Sequence, residues 1–212
     1  MSTRRVNHPI FARFYTRVSR AMERGGMTEH RRSLLTGLSG EIVEVGAGNG
    51  LNFAHYPPSV TRVLAVEPEP HLREAATGAA RLAAVPVRVV DGLAEELPAA
   101  DGSFDAAVVS VVLCSVPDQV AALGEIHRVL GTGAQLRFLE HVGADTPGMR
   151  RVQRLIDGTV GPRVFGGCHC GRDTEGVIES AGFRIDRIER FLFPGARTPH
   201  SFHILGTAVR DG

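Results

Sequence analysis

Short apolar runs alternate with amphipathic stretches through most of the chain. Glu41–Gly46, Arg62–Glu67, Val85–Asp91, Phe104–Val112 and Gln135–His141 are dominated by valine, leucine and alanine. Runs of this kind predict strands buried on both faces, as in a parallel sheet. Between them, Glu69–Ala84 and Gln119–Leu130 carry apolar residues at helical spacing. In the second, Val120, Leu123, Ile126, His127 and Leu130 share one predicted face. Strand, helix, strand in this order predicts βαβ units.

The two ends read differently. Pro9–Glu23 and Thr28–Leu38 predict two helices joined at Gly25–Gly26. After the fifth strand come a helix near Met149–Thr159, a Gly/Cys-rich loop, and a helix at Thr174–Ala181 stopped by Gly182. Phe183–Arg190 and Phe202–Val209 then read as strands. Their connection holds Pro194, Gly195 and Pro199 and is too short for a parallel crossover, so it predicts an antiparallel hairpin at one sheet edge. The fold expected is α/β and Rossmann-like: a mostly parallel seven-stranded sheet, helices on both faces and the C-terminal edge hairpin. One domain is expected, with residues 1–39 as a helical cap on a core spanning 40–212.

Composition narrows the function classes. The 212 residues suit one domain, all 24 basic residues are arginine, and the net charge is +1. No block of like charge marks a nucleic-acid footprint. No apolar stretch of about 18 residues occurs, so no membrane span is expected. Met1–Asn7 is polar, unlike a secretory signal, and a cytoplasmic location is expected. Three cysteines are too few for a disulfide framework. Cys168-His169-Cys170 lacks the C-x₂-C spacing of common zinc sites, and no metal is expected.

The first predicted strand runs into Glu44-Val45-Gly46-Ala47-Gly48-Asn49-Gly50. Such glycines let a backbone turn tightly against a ligand. A dinucleotide fingerprint would place its third glycine at Leu51, and no Gly-Lys-Ser/Thr follows for a P-loop. Without a pyrophosphate to cradle, G-x-G-x-G suits a nucleoside carrying an amino acid. Glu67, about twenty residues on, ends the second strand where an acid accepts ribose hydroxyls. Asp91 ends the third, and Gly92-Leu93-Ala94-Glu95 follows as a small-residue turn suited to an adenine edge. Each acid alone reads equally well as a helix N-cap. Glu69, just past Glu67, is expected to face solvent.

Three further strings carry a family likeness: Asp101-Gly102-Ser103-Phe104-Asp105, Leu113-Cys114-Ser115-Val116-Pro117-Asp118 and Glu125-Ile126-His127-Arg128-Val129-Leu130. With the glycine loop, they make the chain resemble class I S-adenosylmethionine (SAM)-dependent methyltransferases from about Phe11 to its end. A narrower set is similar to the thiol methyltransferases of the type 7 methyltransferase-like group. It comprises Asn52-Phe53, Tyr56-Pro57-Pro58, Glu67-Pro68, Phe138-Leu139-Glu140-His141-Val142, Gly166-Gly167-Cys168, Arg172-Asp173-Thr174 and Pro199-His200. Met1–Asn7 does not read as the apolar N-terminal anchor of that group, so no such anchor is expected.

The resemblance implies SAM as methyl donor and S-adenosylhomocysteine as product. It implies that Glu44, Gly46, Ala47 and Gly48 hold the methionine end, with Tyr15 closing over its carboxylate. Glu67 would take the ribose beside Pro68, and Asp91, Gly92, Leu93 and Ala94 the adenine. Ser110, Val111 and Cys114 would line the floor. The implied acceptor is a small apolar thiol, with a phenolic, quinone, phospholipid or natural-product acceptor as the alternative, and SAM binding without turnover as an alternative of another class. Glu95 and His141 are the candidates for a catalytic base. Against this, Glu95 reads as a first-turn acid and His141 as a partner of Glu140. Phe11, Phe14, Phe165, Phe193 and Phe202 are candidates for an apolar acceptor pocket, although most aromatic side chains fill cores.

Overall fold

Strand β1 (Gly40–Val45) has a parallel neighbour on each side, β2 (Val60–Val66) and β4 (Phe104–Ser110). Its last four residues are all buried, as its unbroken apolar character predicts. The computed structural model describes residues 9–159 and 166–211. Strand β3 (Val87–Val90) forms one edge of the sheet, and β5 (Leu130–His141) pairs parallel with β4. The C-terminal strands β6 (Phe183–Leu192) and β7 (Phe202–Arg210) complete a seven-stranded sheet in the order β3-β2-β1-β4-β5-β7-β6. Strand β7 runs antiparallel to both β5 and β6, so β6 is the outer edge, as the short link predicts. Strand order reverses between β1 and β4, and the crevice at their carboxyl ends is where open α/β sheets hold ligands.

Alternate strand residues serve opposite cores. Val43, Val45, Ala107 and Val109 pack on one face with Leu123, Ile126 and Val129 of α4 (Gln119–Val129) and Ile178 of α6 (Thr174–Ser180). Ile42, Ala106 and Val108 pack on the other with Leu34 and Leu35 of α2 (Thr28–Leu35) and Ala76 of α3 (Pro70–Ala80). Helix α1 (Pro9–Met22) precedes α2 through a wide helical turn at Glu23–Met27, and α5 (Pro147–Asp157) follows β5. Among the described residues, no helix is long and apolar enough to cross a membrane.

Several boundaries differ from expectation. Helix α4 buries Ala122, Leu123, Ile126 and Val129, whereas Val120 is 67% exposed. Asp118 caps that helix by accepting from the Val120 and Ala121 amides, so Val120 falls in its first turn. Leu130 already belongs to β5, which starts five residues before its apolar run because Leu130 pairs with Phe104 across an irregular register. Helix α3 stops at Ala80, and Leu82 beyond it is exposed. Strand β4 stops at Ser110, because Val111 turns to φ 59°.

Gly206 sits where β7 crosses Phe138 of β5 and the backbone of β6. A Cβ there would stand 2.3 Å from Phe138 Cζ and 2.4 Å from the Arg187 carbonyl oxygen. Gly206→Ala should therefore lower stability by about 1–3 kcal/mol, as overpacking does. Urea denaturation checks this, and an unchanged midpoint would contradict the placement of the inserted strand.

Candidate functional site

The glycine loop leaves β1 under close constraint. The Gly46 and Ala47 amides both donate to the Val66 carbonyl at the end of β2. Gly46 has φ 67°, and a Cβ on it would lie 2.5 Å from Val112 Cγ2; Gly48 has φ 56°. Only glycine adopts such backbone freely. The Gly48 amide donates to Glu67 Oε2 at 2.8 Å, and the Glu69 amide donates to Glu67 Oε1 at 2.9 Å. Burial pushes the Glu67 carboxyl above its ordinary pKa, and these two amides oppose the shift. Around this acid lies a cavity of about 200 Å³ walled by Tyr15, Gly46, Gly48, Pro68, the Gly92–Glu95 loop, Val111, Val112, Ser115, Pro117 and Gly166. Two larger depressions lie elsewhere, one along the β3 edge and one beside α5 and β6, and neither includes the glycine loop.

The opposite wall is the turn after β4. Val111 there is a β-branched residue at φ 59°, a strained conformation held by its surroundings. Its amide donates to the Leu139 carbonyl at 2.7 Å. Glu140 holds the next three residues: Oε1 accepts from the Val112 and Leu113 amides, and Oε2 from the Cys114 amide. Glu140 is fully buried, and burial raises its pKa to about 7 against the pull of those amides. From the other side, Arg172 Nη1 donates to the Leu113 and Val116 carbonyls, and the His169 amide donates to the Cys114 carbonyl. The segment from Gly166 to Arg172 is thus docked on the turn.

Beneath the glycine loop lies a second buried network. Glu44 Oε1 accepts from Asn52 Nδ2 at 2.9 Å, and Oε2 from the Tyr56 hydroxyl at 2.7 Å. Arg31 of α2 donates through Nη1 to Asn52 Oδ1 and Ser110 Oγ, and through Nε to Glu23. Burial raises the Glu44 pKa to about 7, partly offset by its hydrogen bonds and by Arg31. Asn49 Nδ2 donates to Ser19 Oγ, tying the loop to α1. The N-terminal helices are therefore joined to the sheet through polar groups as well as apolar ones.

Among the residues singled out from sequence, the structure brings Tyr15, Gly46, Gly48, Glu67, Pro68, Gly92, Leu93, Ala94, Glu95 and Val111 to the cavity. Glu95 Oε1 is buried without a hydrogen-bond partner. Six others stand back from it. Glu44 and Ser110 point into the Arg31 network. Ala47 is buried in the loop. The Asp91 carboxylate is 72% exposed and pairs with Arg73 at 3.0 Å. Cys114 and His141 meet each other behind the turn, with His141 Nδ1 3.6 Å from Cys114 Sγ. Burial, then His203 and His200, hold the His141 pKa well below its ordinary value, so the ring is neutral near pH 7.

Other expectations are corrected. Glu69 is 3% exposed and caps α3 by accepting from the Leu72 amide, so it does not face solvent. Phe14 is 51% exposed, and Phe193 and Phe202 belong to the two cores. Phe165 and the Phe11 side chain lie outside the described residues. Cys168, His169 and Cys170 diverge: Cys168 faces His141, His169 Nδ1 lies 2.8 Å from the Gly167 carbonyl, and Cys170 Sγ donates to Asp157. Sequence reasoning missed Arg31, Glu140 and Arg172 as organisers of the site. Glu140 and Arg172 stand in strings that carried the family likeness, an acid in an apolar run and an arginine after a Gly/Cys-rich one, whereas Arg31 lies in a polar helix that gave no signal.

Comparison with known proteins accords with this geometry. A methyltransferase-domain profile matches residues 43–138. The chain is 34% identical to human thiol S-methyltransferase TMT1B over 83% of its length and 74% of that protein. It is 31% identical to human thiol S-methyltransferase TMT1A over 80% and 70%. The chain belongs to this family of SAM-dependent methyltransferases. Its fold also matches a solved SAM-dependent methyltransferase of Thermotoga maritima, described as a possible histamine N-methyltransferase. That match has a TM-score of 0.70 at 21% identity and covers 95% of this chain and 98% of the other.

Two outcomes follow for this methyltransferase. Folded Glu44 keeps its proton to about pH 7, whereas a free carboxyl loses it near 4.5. Between those values the folded state binds the extra proton, so this group's contribution is full below about pH 4.5 and falls as pH rises to about 7. Relative to Glu44→Gln, the wild type should lose on the order of 3 kcal/mol across that window. Chemical denaturation at both ends measures the difference, and a constant difference would refute the buried protonated acid.

If Glu67 takes the ribose as its place in the cavity suggests, Glu67→Ala should weaken SAM binding roughly 10- to 150-fold, the loss of a charge-assisted hydrogen bond worth about 1.5–3 kcal/mol. Glu74→Ala, on the exposed face of α3, is the control and should change nothing. Calorimetry giving equal affinities for the two variants would displace Glu67 from the binding site.

Proposed function

We propose that this enzyme methylates a small, largely apolar thiol. The supporting observation is the identity with thiol S-methyltransferases over most of the chain, joined to the place of the shared motifs. Asn52 and Tyr56 hold Glu44, Glu140 and Arg172 hold the turn after β4, and Glu67 and Pro68 border the cavity.

SAM, when bound, supplies a methyl group already activated on a sulfonium. The protein's task is alignment and exclusion of water. In this reading Glu67 accepts from the ribose, because each carboxylate oxygen keeps a second acceptor site beside its backbone amide. Gly92, Leu93 and Ala94 frame the adenine, and Asp91 steadies Arg73 at the rim. Gly46, Gly48 and Tyr15 border the methionine end.

A thiol attacks as its thiolate. Glu95 is our choice of base, because the residue lines the cavity and its Oε1 has no protein donor. His141 lies behind the wall and is assigned no proton transfer with the acceptor. In this reading the N-terminal helices, described from Pro9 on, cap a single domain. Three free, buried cysteines suit a reducing cytoplasm.

Glu95→Gln should lower turnover of a small alkyl thiol more at about pH 6 than at about pH 9, since a free thiol ionises unaided near the higher value. SAM affinity should stay within about twofold, because the lost group serves the acceptor. A pH-independent deficit would remove Glu95 as base. Methylation of phenols or amines with thiols untouched would remove the thiol proposal.

A further inference from the structure

Three side chains from distant segments meet behind the turn that walls the cavity. Cys114 follows β4, His141 ends β5, and Cys168 lies in the segment docked by Arg172. All three are buried, and their sulfur and nitrogen atoms lie within 4.8 Å of one another. His141 Nδ1 is 3.6 Å from Cys114 Sγ and 3.6 Å from Cys168 Sγ.

Hydrogen bonding alone accounts poorly for this symmetry. A ring nitrogen has one lone pair and accepts one good bond from one thiol, not two, so one sulfur must turn elsewhere, and Cys114 Sγ has Ser115 Oγ at 3.5 Å. A metal ion held by all three atoms removes the conflict. Bonds of about 2.3 Å to sulfur and about 2.1 Å to nitrogen at a tetrahedral angle put the nitrogen–sulfur edge at about 3.6 Å, the separation seen here. The neighbouring candidates are committed elsewhere, Cys170 to Asp157 and His169 to the Gly167 carbonyl.

Charge selects the ion. Two thiolates and a neutral imidazole cancel a dication, whereas a monocation would leave a net negative charge buried beside Glu140, which is costly. Thiolate and imidazole are soft-to-borderline donors and select zinc over magnesium or calcium. We infer that Cys114, His141 and Cys168 form a zinc site, bound through Sγ, Nδ1 and Sγ. Among the described residues no fourth histidine, cysteine or acid joins them. Three protein ligands with one further position is the pattern of zinc sites that keep an exchangeable ligand. Binding releases both thiol protons and fixes the 166–172 segment to the turn after β4. The assignment does not depend on which acceptor is methylated.

The test loads the reduced, full-length protein with zinc chloride, removes loose metal on a desalting column and counts zinc by plasma mass spectrometry. About one zinc per chain is expected, with less than about a tenth of that in Cys114→Ser and in Cys168→Ser, and no change in Cys170→Ser. Cobalt(II) in place of zinc should give the visible bands of tetrahedral coordination and thiolate-to-cobalt charge transfer in the near ultraviolet. If the serine variants misfold by circular dichroism, the wild-type cobalt spectrum decides. Failure of the folded, reduced wild type to retain zinc overturns the assignment. So does full retention in both serine variants, or cobalt bound without thiolate charge transfer.

Discussion

The carboxylate of Glu140 takes three consecutive backbone amides, those of Val112, Leu113 and Cys114. A fully buried acid is costly unless its oxygens meet donors, and here the donors come from a chain that has just left its strand. The exchange is mutual: the acid is solvated by backbone, and the backbone is held in a turn that Val111 enters at positive φ. One side of that turn walls the cavity; the other carries Cys114 towards His141 and Cys168. Arg172 fixes the remaining carbonyls from outside. Without Glu140, three amides of the turn that shapes both the cavity wall and the cysteine cluster would lose their acceptor.

The same device recurs along the carboxyl edge of the sheet. Glu44 on β1, Glu67 after β2 and Glu140 on β5 are all buried acids whose oxygens meet donors from segments remote in sequence or from the loop that follows. Arg31 is the buried cation of this layer, and through Asn52 it reaches Glu44 without touching it. An edge organised in this way is rigid at low apolar cost. That suits a reaction whose donor is already activated and whose demand is alignment in a dry space.

Much of the fold was legible in the chain. Apolar runs without alternation mark buried strands, and the short Pro/Gly link marks the antiparallel hairpin. Boundaries were less legible. Val120 fits the apolar face by spacing, yet it lies exposed in the first turn of the helix capped by Asp118. In the site, the glycine loop, Glu67 and the Gly92–Glu95 turn were visible because local backbone geometry demands those residue types. Asp91 and Glu69 show the limit: two acids at strand ends look alike, but one pairs with Arg73 in solvent and the other caps a helix in the interior.

The sequence by itself determined the parallel sheet, the edge hairpin and the tight glycine loop after the first strand, because period, turn chemistry and short-range spacing act within a few residues. The tertiary structure alone decided the partners of Glu44, Glu140, Arg31 and Arg172. It also separated Cys168 from Cys170 and set it beside Cys114 and His141. Those choices depend on which strand ends become neighbours, and sequence distance carries no record of that: Arg172 reaches across 59 positions to the Leu113 carbonyl, and Glu140 across 28 to the Val112 amide.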